Sequence, residues 1–398
     1  MQPIVVHKYG GSSLADLDRV RAVAQRIVDT VRSGHRVVAV VSAMGKTTDE
    51  LLSRAKALAQ NPNPRELDML LSTGERVSTA LLAIAISELG TPAVSFTGSQ
   101  SGVITNTRHN RARIIEVRPY RVLDELDAGK VVIIAGYQGV SYAREITTLG
   151  RGGTDTTAVA MASALGAEYC EICSDVDGVY TADPRIVSDA RRLDSLDHDA
   201  MVALARHGSR VLNQDCVEYA SRHGVAIFAK STFGPRDDTG TVVRVNPGVE
   251  ASPVTAIAHR LRLGEITLAA RRDPAELLDA MDRHGAYAEA LDGGGDRPLT
   301  LAFPLDDAHR LEALRARLSE LFGDDLALRT DRGSVTVVGH GLGDEPTLLR
   351  GIIATARGVC GDPPPLRLGP LAVTLTVAES QVATLVARLH TELLGSAR

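Results

Sequence analysis

Four short polar stretches carry the residue types that handle phosphates and carboxylates. Lys8-Tyr9-Gly10-Gly11-Ser12-Ser13 follows an apolar run and opens a helical one. Two glycines let backbone N–H groups approach an anion closely, a helix start favours negative charge, and Lys8 adds a full positive charge. An ordinary strand-to-helix turn with a capping serine has the same composition. Gly150-Arg151-Gly152-Gly153-Thr154-Asp155-Thr156-Thr157 is a second such loop, ahead of an alanine-rich helical run at Ala158–Leu165. Its Arg151 can fork two hydrogen bonds to a carboxylate, and its Asp155 can orient lysines and substrate donors. Ser72-Thr73-Gly74-Glu75 puts a carboxylate ahead of a helix, where an acid is also at home without a ligand. After a strand-like run, Ser174-Asp175-Val176-Asp177-Gly178-Val179-Tyr180-Thr181-Ala182-Asp183-Pro184-Arg185 gathers acids, a tyrosine and an arginine. That set suits a nucleotide with its metal, and it also suits plain turn chemistry. Four polar loops at the strand ends of one domain point to a site where no single loop would.

Other signatures fail. Gly45-Lys46-Thr47 resembles the end of a phosphate-binding loop, but the required earlier glycine is Val40, inside a strand-like run. Gly150–Asp155 lacks the third glycine of a dinucleotide-binding turn, because Asp155 occupies that place. No HExxH or GxSxG pattern occurs. Cys170-Glu171-Ile172-Cys173 sits in a strand-like run, where positions three apart face opposite ways, so it reads as a pair of core thiols.

The elements that must hold these loops alternate. Pro3–Lys8, Arg36–Ser42, Ala93–Phe96, Val131–Ala135 and Ala167–Ser174 read as strands; Asp16–Ser33 and one or two helices within Leu67–Leu89 lie between them. Such alternation predicts an α/β sandwich with a largely parallel sheet covered on both faces. After Asn246-Pro247-Gly248 the texture changes. Short strands at Val254–Ala258, Glu265–Ala269, Leu299–Phe303, Ser334–Val338 and Leu371–Val377 interleave with helical stretches at Pro274–His284, Asp307–Leu321, Pro346–Ala356 and Ser380–Leu394, as in two small βαββαβ units. The stretch 246–253 is the linker candidate.

The 398 residues carry 44 Lys+Arg against 49 Asp+Glu, a formal charge of −5, with 44% hydrophobic residues. This is a globular composition, and its acidic balance and lack of tryptophan argue against a general nucleic-acid binder. No apolar run approaches a membrane span and the N-terminus does not read as a secretory signal. Four cysteines make no disulfide framework, so the expected compartment is the cytoplasm.

The polar loops, together with Val41-Ser42-Ala43-Met44-Gly45-Lys46-Thr47-Thr48-Asp49-Glu50-Leu51-Leu52, Glu66-Leu67-Asp68-Met69-Leu70-Leu71 and Phe96-Thr97-Gly98-Ser99-Gln100, resemble the aspartate kinase (aspartokinase) family. The resemblance covers residues 1 to about 245 in the family's order. It implies an α/β fold: an amino-acid-kinase three-layer sandwich at 1–248, followed at 249–398 by a regulatory region of two divergent ferredoxin-like ACT domains. It implies ATP, Mg²⁺ and L-aspartate as ligands, 4-phospho-L-aspartate and ADP as products, no nucleic-acid or membrane partner, and a homodimer through the ACT domains. By resemblance, Lys8 stabilises the transferring phosphoryl group with Gly10, Gly11 and Ser12. Arg151 clamps the substrate α-carboxylate, Glu75 holds the α-ammonium, and Thr48 helps seat the substrate. Asp155 organises the cationic cluster, while Ser174, Asp175, Tyr180 and Arg185 contact the nucleotide. No protein metal ligand is implied.

The sequence departs from the family in places. Arg210, in Gly208-Ser209-Arg210-Val211-Leu212, stands where a lysine near the ATP phosphates is usual, and Asp215 stands where an arginine is common. Phe228-Ala229-Lys230-Ser231-Thr232 replaces an Arg-Val-Arg-Ser-Ser pattern. These changes predict weaker ATP affinity or altered packing, with activity retained. Ala270–Ala275, Gly285–Ala288 and Gly343–Thr347 replace the loops that normally offer backbone groups to lysine or threonine, which predicts weak or absent feedback inhibition. Two other readings stay open: a kinase for another amino-acid carboxylate, and a non-catalytic amino-acid sensor.

Overall fold

The computed structural model describes residues 2–235, 238–245, 253–288, 290–305 and 311–395. The chain divides into two compact units. The first comprises 1–179, 192–206 and 210–250; the second comprises Tyr180–Arg191, His207–Ser209 and 251–398. The linker candidate at 246–253 and the 248/249 boundary fall almost wholly outside the described residues, as does the start of the helix expected from Asp307.

The strands of the first unit are β1 (Ile4–Tyr9), β2 (Arg36–Val41), β3 (Ala93–Phe96), β4 (Val103–Thr105), β5 (Ile114–Val117), β6 (Val131–Ala135), β7 (Gln138–Ser141), β8 (Ile146–Thr148), β9 (Tyr169–Ser174), β10 (Ser195–Leu196), β11 (Ile227–Ser231) and β12 (Thr241–Val243). Its helices are α1 (Leu17–Arg32), α2 (Thr47–Leu58), α3 (Pro64–Leu71), α4 (Thr73–Glu88), α5 (Tyr120–Asp127), α6 (Gly153–Leu165), α7 (His198–Arg206) and α8 (Gln214–His223). The main sheet has the order β10-β12-β11-β9-β1-β2-β6-β3. Its six strands from β11 to β3 are parallel, and β12 joins them antiparallel. A four-stranded sheet, β5-β4-β7-β8, forms from the segments before α6.

Near-continuous Val/Ile/Ala runs make strands buried on both faces, as crossover helices require. One face, with Val5, Tyr9, Val37, Ala39, Val41 and Ile133, packs on Val20, Val23, Ile27, Leu82 and Ile86 of α1 and α4. The side chains between them, Val6, Lys8, Val38, Val40, Cys170 and Ile172, point the other way. Asp16 caps α1, its side chain accepting from Arg19 N–H at 2.8 Å. The sequence showed no run near membrane-span length, yet α3 and α4, meeting at Ser72, form a stretch from Pro64 to Glu88 that is long and apolar enough by composition. It carries buried Asp68 and Glu75 beside Leu71, Leu82 and Ile86, the pattern of a core helix pair.

The second unit has a six-stranded antiparallel sheet of order β14-β15-β13-β16-β18-β17, with β13 (Ala256–Leu268), β14 (Ala290–Gly294), β15 (Arg297–Pro304), β16 (Leu326–Val338), β17 (Leu366–Leu368) and β18 (Ala372–Ala378). The two strands expected at Val254–Ala258 and Glu265–Ala269 are one long strand, β13, and the strand expected at Ser334–Val338 starts earlier, at Leu326, as β16; each serves both halves. β13 bends where its register with β16 shifts, at Arg260–Glu265, and Arg262 there has φ +57°. Beyond the bend, α9 (Pro274–Arg283) and α10 (Leu311–Phe322) enclose one core with Leu277, Met281, Phe303, Leu314 and Phe322. Before it, α11 (Pro346–Cys360) and α12 (Val382–Leu394) enclose another with Ile257, Val337, Ile352, Val373 and Leu385. Each half is a ferredoxin-like unit, but the last-placed strand of the second half, 256–260, comes first in the chain. Ala182 and Val187 belong to that second core, the Thr181 hydroxyl lies 2.9 Å from His390 Nε2, and Ile257 N–H donates to Thr181 O at 2.8 Å.

Candidate active site

The carboxyl ends of β1, β2 and β9 bring the polar loops of the first unit together. Lys8 leaves β1 on the face covered by α6, and its Nζ stands 2.7 Å from Asp155 Oδ1 in the first turn of that helix. Both side chains are largely buried, at 11% and 14% exposure, so the pair is poorly screened. Lys8 Nζ also lies over Gly10, 3.4 Å from where a Cβ would stand. Gly11 has no room for a side chain: a Cβ would meet Ala43 O at 2.8 Å and Gly45 O at 3.0 Å. That close approach is tied by Gly45 N–H donating to Gly11 O at 3.0 Å, so the first and second strand-end loops form one floor. Arg19 of α1 donates to Ser12 O, and Ser13 Oγ lies 2.6 Å from Thr232 Oγ1.

Glu75 sits in the first turn of α4, where helix and loop meet. Its Oε1 accepts from Ala43 N–H at 3.1 Å, while Oε2 is buried without a hydrogen-bond partner. Burial pushes its pKa up to about 7, against the pull of the backbone donors. A buried carboxylate with one unused oxygen is a natural seat for an ammonium group. Thr48 lies in the first turn of α2, and its neighbour Thr47 has Cγ2 3.6 Å from a Cβ placed on Gly74, beside Glu75 in sequence.

The Gly150 loop is narrower than its sequence suggests, because α6 starts at Gly153 and takes Asp155 into its first turn. Gly152 has φ +72°, and a Cβ there would collide with Asn213 at 2.2 Å. Asn213 both caps α8, accepting from Asp215 N–H at 2.9 Å, and donates from Nδ2 to Arg151 O at 3.5 Å. Arg151 itself is exposed. Arg210 and Asp215 are exposed on the segment flanking Asn213. Ser174 ends β9, its carbonyl accepting from Thr232 N–H at 2.8 Å, and Asp175 next to it is exposed. Tyr180 and Arg185, expected on the nucleotide, belong to the second unit, and Arg185 forks onto Asp183 at 2.7 and 3.0 Å.

Lys230 does not share the face of Lys8. It pairs in register with Cys173 and lies on the side of His7 and Glu171. There Lys230 Nζ and Arg26 Nη2 each reach Glu171 at 3.2 Å, and His7 Nε2 lies 3.7 Å from the same carboxylate. Burial raises the pKa of Glu171, but His7, Lys230 and Arg26 outweigh it and hold it down at about 2. Burial lowers His7 to about 4. Arg26 also donates to Thr232 O at 3.1 Å, so this charge cluster anchors the end of β11. Phe228, the other changed residue of that strand, packs on Tyr169 with ring centroids 4.9 Å apart.

Residues with no assigned role also surround the site. Ser42 donates to Thr154 Oγ1 at 3.0 Å, and Tyr137 holds a left-handed backbone at φ +66° beside Gly153. A non-glycine residue in that region was invisible in the sequence, where only the flanking Gly136 and Gly139 hint at a sharp turn. Among the described residues no three His, Cys, Asp or Glu side chains converge as a metal cage.

Comparison with known proteins gives three concordant results. The amino acid kinase family model matches residues 3–230. The aspartokinase of Mycolicibacterium smegmatis is 44% identical, covering 88% of this chain and 86% of its own length. That of Corynebacterium glutamicum is 40% identical over 97% and 95%. The structure of E. coli aspartokinase III in complex with aspartate and ADP, described as the R-state, superposes with a TM-score of 0.80 at 25% identity, covering 98% of this chain and 99% of that one.

Proposed function

The chain belongs to the amino acid kinase family, among its aspartokinases, and from that premise we propose how its own residues perform the reaction. The enzyme transfers the γ-phosphoryl group of ATP to the side-chain carboxylate of L-aspartate, yielding 4-phospho-L-aspartate and ADP. A carboxylate oxygen forms the new P–O bond as the bridging bond to ADP breaks, and the electron pair leaves with ADP. No general base is needed, since an ordinary carboxyl of pKa ~4 is already ionised at neutral pH. The protein's work is therefore positioning and charge stabilisation.

In this reading Lys8 carries the developing phosphoryl charge, with the Gly10-Gly11-Ser12 turn beneath the phosphates. Asp155 keeps the Lys8 ammonium in place. Arg151 takes the α-carboxylate of aspartate, the unused oxygen of Glu75 takes its α-ammonium, and Thr48 seats its side chain. Ser174, Asp175 and Arg210 serve the nucleotide. Mg²⁺ would accompany the triphosphate and supply neutralisation of its charge, with no protein ligand assigned to it. The observation that carries the reading is the largely buried 2.7 Å Lys8–Asp155 pair over the glycine turn.

We also propose weak or absent control by lysine and threonine. The arginines of the turn before α9 are engaged elsewhere: Arg271 pairs with Asp325, and Arg272 donates to Leu321 O at 2.6 Å. A homodimer through the second unit has support in the end strand β17, whose exposed Leu368 marks an edge open to a second copy. Four free thiols, three of them buried, suit the cytoplasm.

One assay tests the core of this reading. ATP and candidate acids are incubated in hydroxylamine and acyl phosphate is scored as hydroxamate. Aspartate-dependent product is expected. Product only with a different acid would give the substrate role to that acid, and no product with any acid would favour a sensor.

A further inference from the structure

Asp68 lies on α3, outside every role assigned above, and is fully buried. Its carboxylate is nevertheless well occupied. Oδ1 accepts from the Thr148 hydroxyl at 2.6 Å and from Asn110 N–H at 3.1 Å; Oδ2 lies 2.6 Å from His109 Nδ1 and 3.2 Å from Asn110 N. These partners come from two segments 41 to 80 residues away, the β4–β5 loop and the end of β8. A buried carboxylate with this many hydrogen-bond partners is held in one orientation, and it holds what it touches.

What it touches borders the acceptor side of the site. Thr148 stands two residues before Gly150, and its carbonyl accepts from Ala112 N–H at 2.9 Å. The held loop packs on the glycine itself, with Asn110 O 3.3 Å from a Cβ built on Gly150. Asn110 takes φ +64° to do so. Burial raises the pKa of the Tyr137 phenol, and the charges of Glu75 and Asp68 add to that rise. Leu149 N–H donates to Tyr137 O at 2.9 Å, closing the ring of contacts.

We infer that Asp68 is a positioning residue for the acceptor amino acid. Through His109, Asn110 and Thr148 it fixes the Gly150 turn that carries Arg151, and through Leu149, whose N–H meets Tyr137 O, it braces the turn at Tyr137. The inference rests on the reading of Arg151 and Glu75 as acceptor contacts. A merely structural Asp68 would weaken the whole unit and spoil both substrates alike.

The test is hydroxamate kinetics on the full chain, with aspartate varied at saturating ATP and the reverse, together with thermal melting. The variants are D68N, H109A, H109N and R151A. D68N and H109A should raise the aspartate KM about tenfold or more while the ATP KM stays within about twofold. H109N, whose amide nitrogen occupies the place of Nδ1, should restore most of the loss. An unchanged aspartate KM in H109A, equal rises in both KM values, or no rescue by H109N would overturn the inference. Should D68N fail to fold, the partly exposed His109 pair decides the matter alone. R151A separates the two layers. If it leaves the aspartate KM unchanged while H109A raises it, the Arg151 assignment falls and the role of Asp68 stands on the turn at Tyr137; if neither moves it, both fall.

Discussion

Lys8 Nζ and Asp155 Oδ1 meet at 2.7 Å between the end of the first strand and the first turn of α6, both largely screened from solvent. The lysine is thus held by a fixed partner before any phosphate arrives, so little reorganisation is left for the moment of transfer. Lys8→Ala should lower kcat by about 10²–10³-fold with a much smaller change in the aspartate KM. Asp155→Asn, which keeps the shape and removes the charge, should fall between Lys8→Ala and the parent enzyme. Steady-state hydroxamate rates check both, and undiminished turnover in Lys8→Ala would remove the assigned role.

Glu75 gives a pH dependence with a definite sign. Its folded pKa of about 7 lies above the ordinary 4.5, so the folded protein keeps a proton that the unfolded chain has released. Stability of the ligand-free enzyme should therefore fall as pH rises from about 4.5 to about 7, by up to about 3 kcal/mol. Glu75→Gln should abolish this component, and melting curves from pH 5 to 8 will show it. If the aspartate ammonium settles on Glu75, binding at pH 6.5 releases protons, visible by calorimetry in buffers of different ionisation enthalpy. Glu75→Gln should bind weakly and release none.

The cluster of His7, Arg26, Glu171 and Lys230 predicts sensitivity to acid. Glu171 is held below its ordinary 4.5, so its contribution is present above that pH and is lost as pH falls towards 2. His7, lowered from 6.5 to about 4, stays neutral when folded and costs stability as pH falls from 6.5 towards 4. Both act in the same direction. Glu171→Gln leaves two buried cations facing each other and should cost about 3–5 kcal/mol in denaturant titrations. A loss within the scatter of surface substitutions would mean the cations find other partners.

Control by end products supplies another test. With Arg271 and Arg272 of the turn before α9 paired to Asp325, millimolar lysine plus threonine should leave the hydroxamate rate unchanged and give no heat of binding. Inhibition matched by calorimetric binding would show that the altered loops still accept an effector.

Much of the catalytic unit was readable in the chain because its chemistry lies in contiguous loops. Lys8 with its glycines follows a strand of the main sheet, Gly150–Asp155 runs from β8 into α6, and Ser72–Glu75 joins α3 to α4, so each is a short run whose residue types show its chemistry. What could not be read depends on faces and on distance. Lys230 follows the strand alternation away from Lys8, and only the register of β11 against β9 reveals it. Asp68 finds His109 and Thr148 across 41 and 80 residues, which no local pattern encodes. In the second unit, two short strands on either side of a polar stretch are one bent strand, because Arg262 turns left-handed where the sequence shows only a gap in hydrophobicity.

Thr181, Ala182 and Val187 leave the nucleotide-side loop only to complete the interior of the second unit. The two units are therefore interleaved along the chain, not strung like beads. A fragment ended at residue 248 would keep this excursion but strip it of Val335, Val373 and Leu385, presenting an oily, unsupported arm to water. Trimming or swapping the C-terminal half between relatives calls for transplanting 180–191 with it.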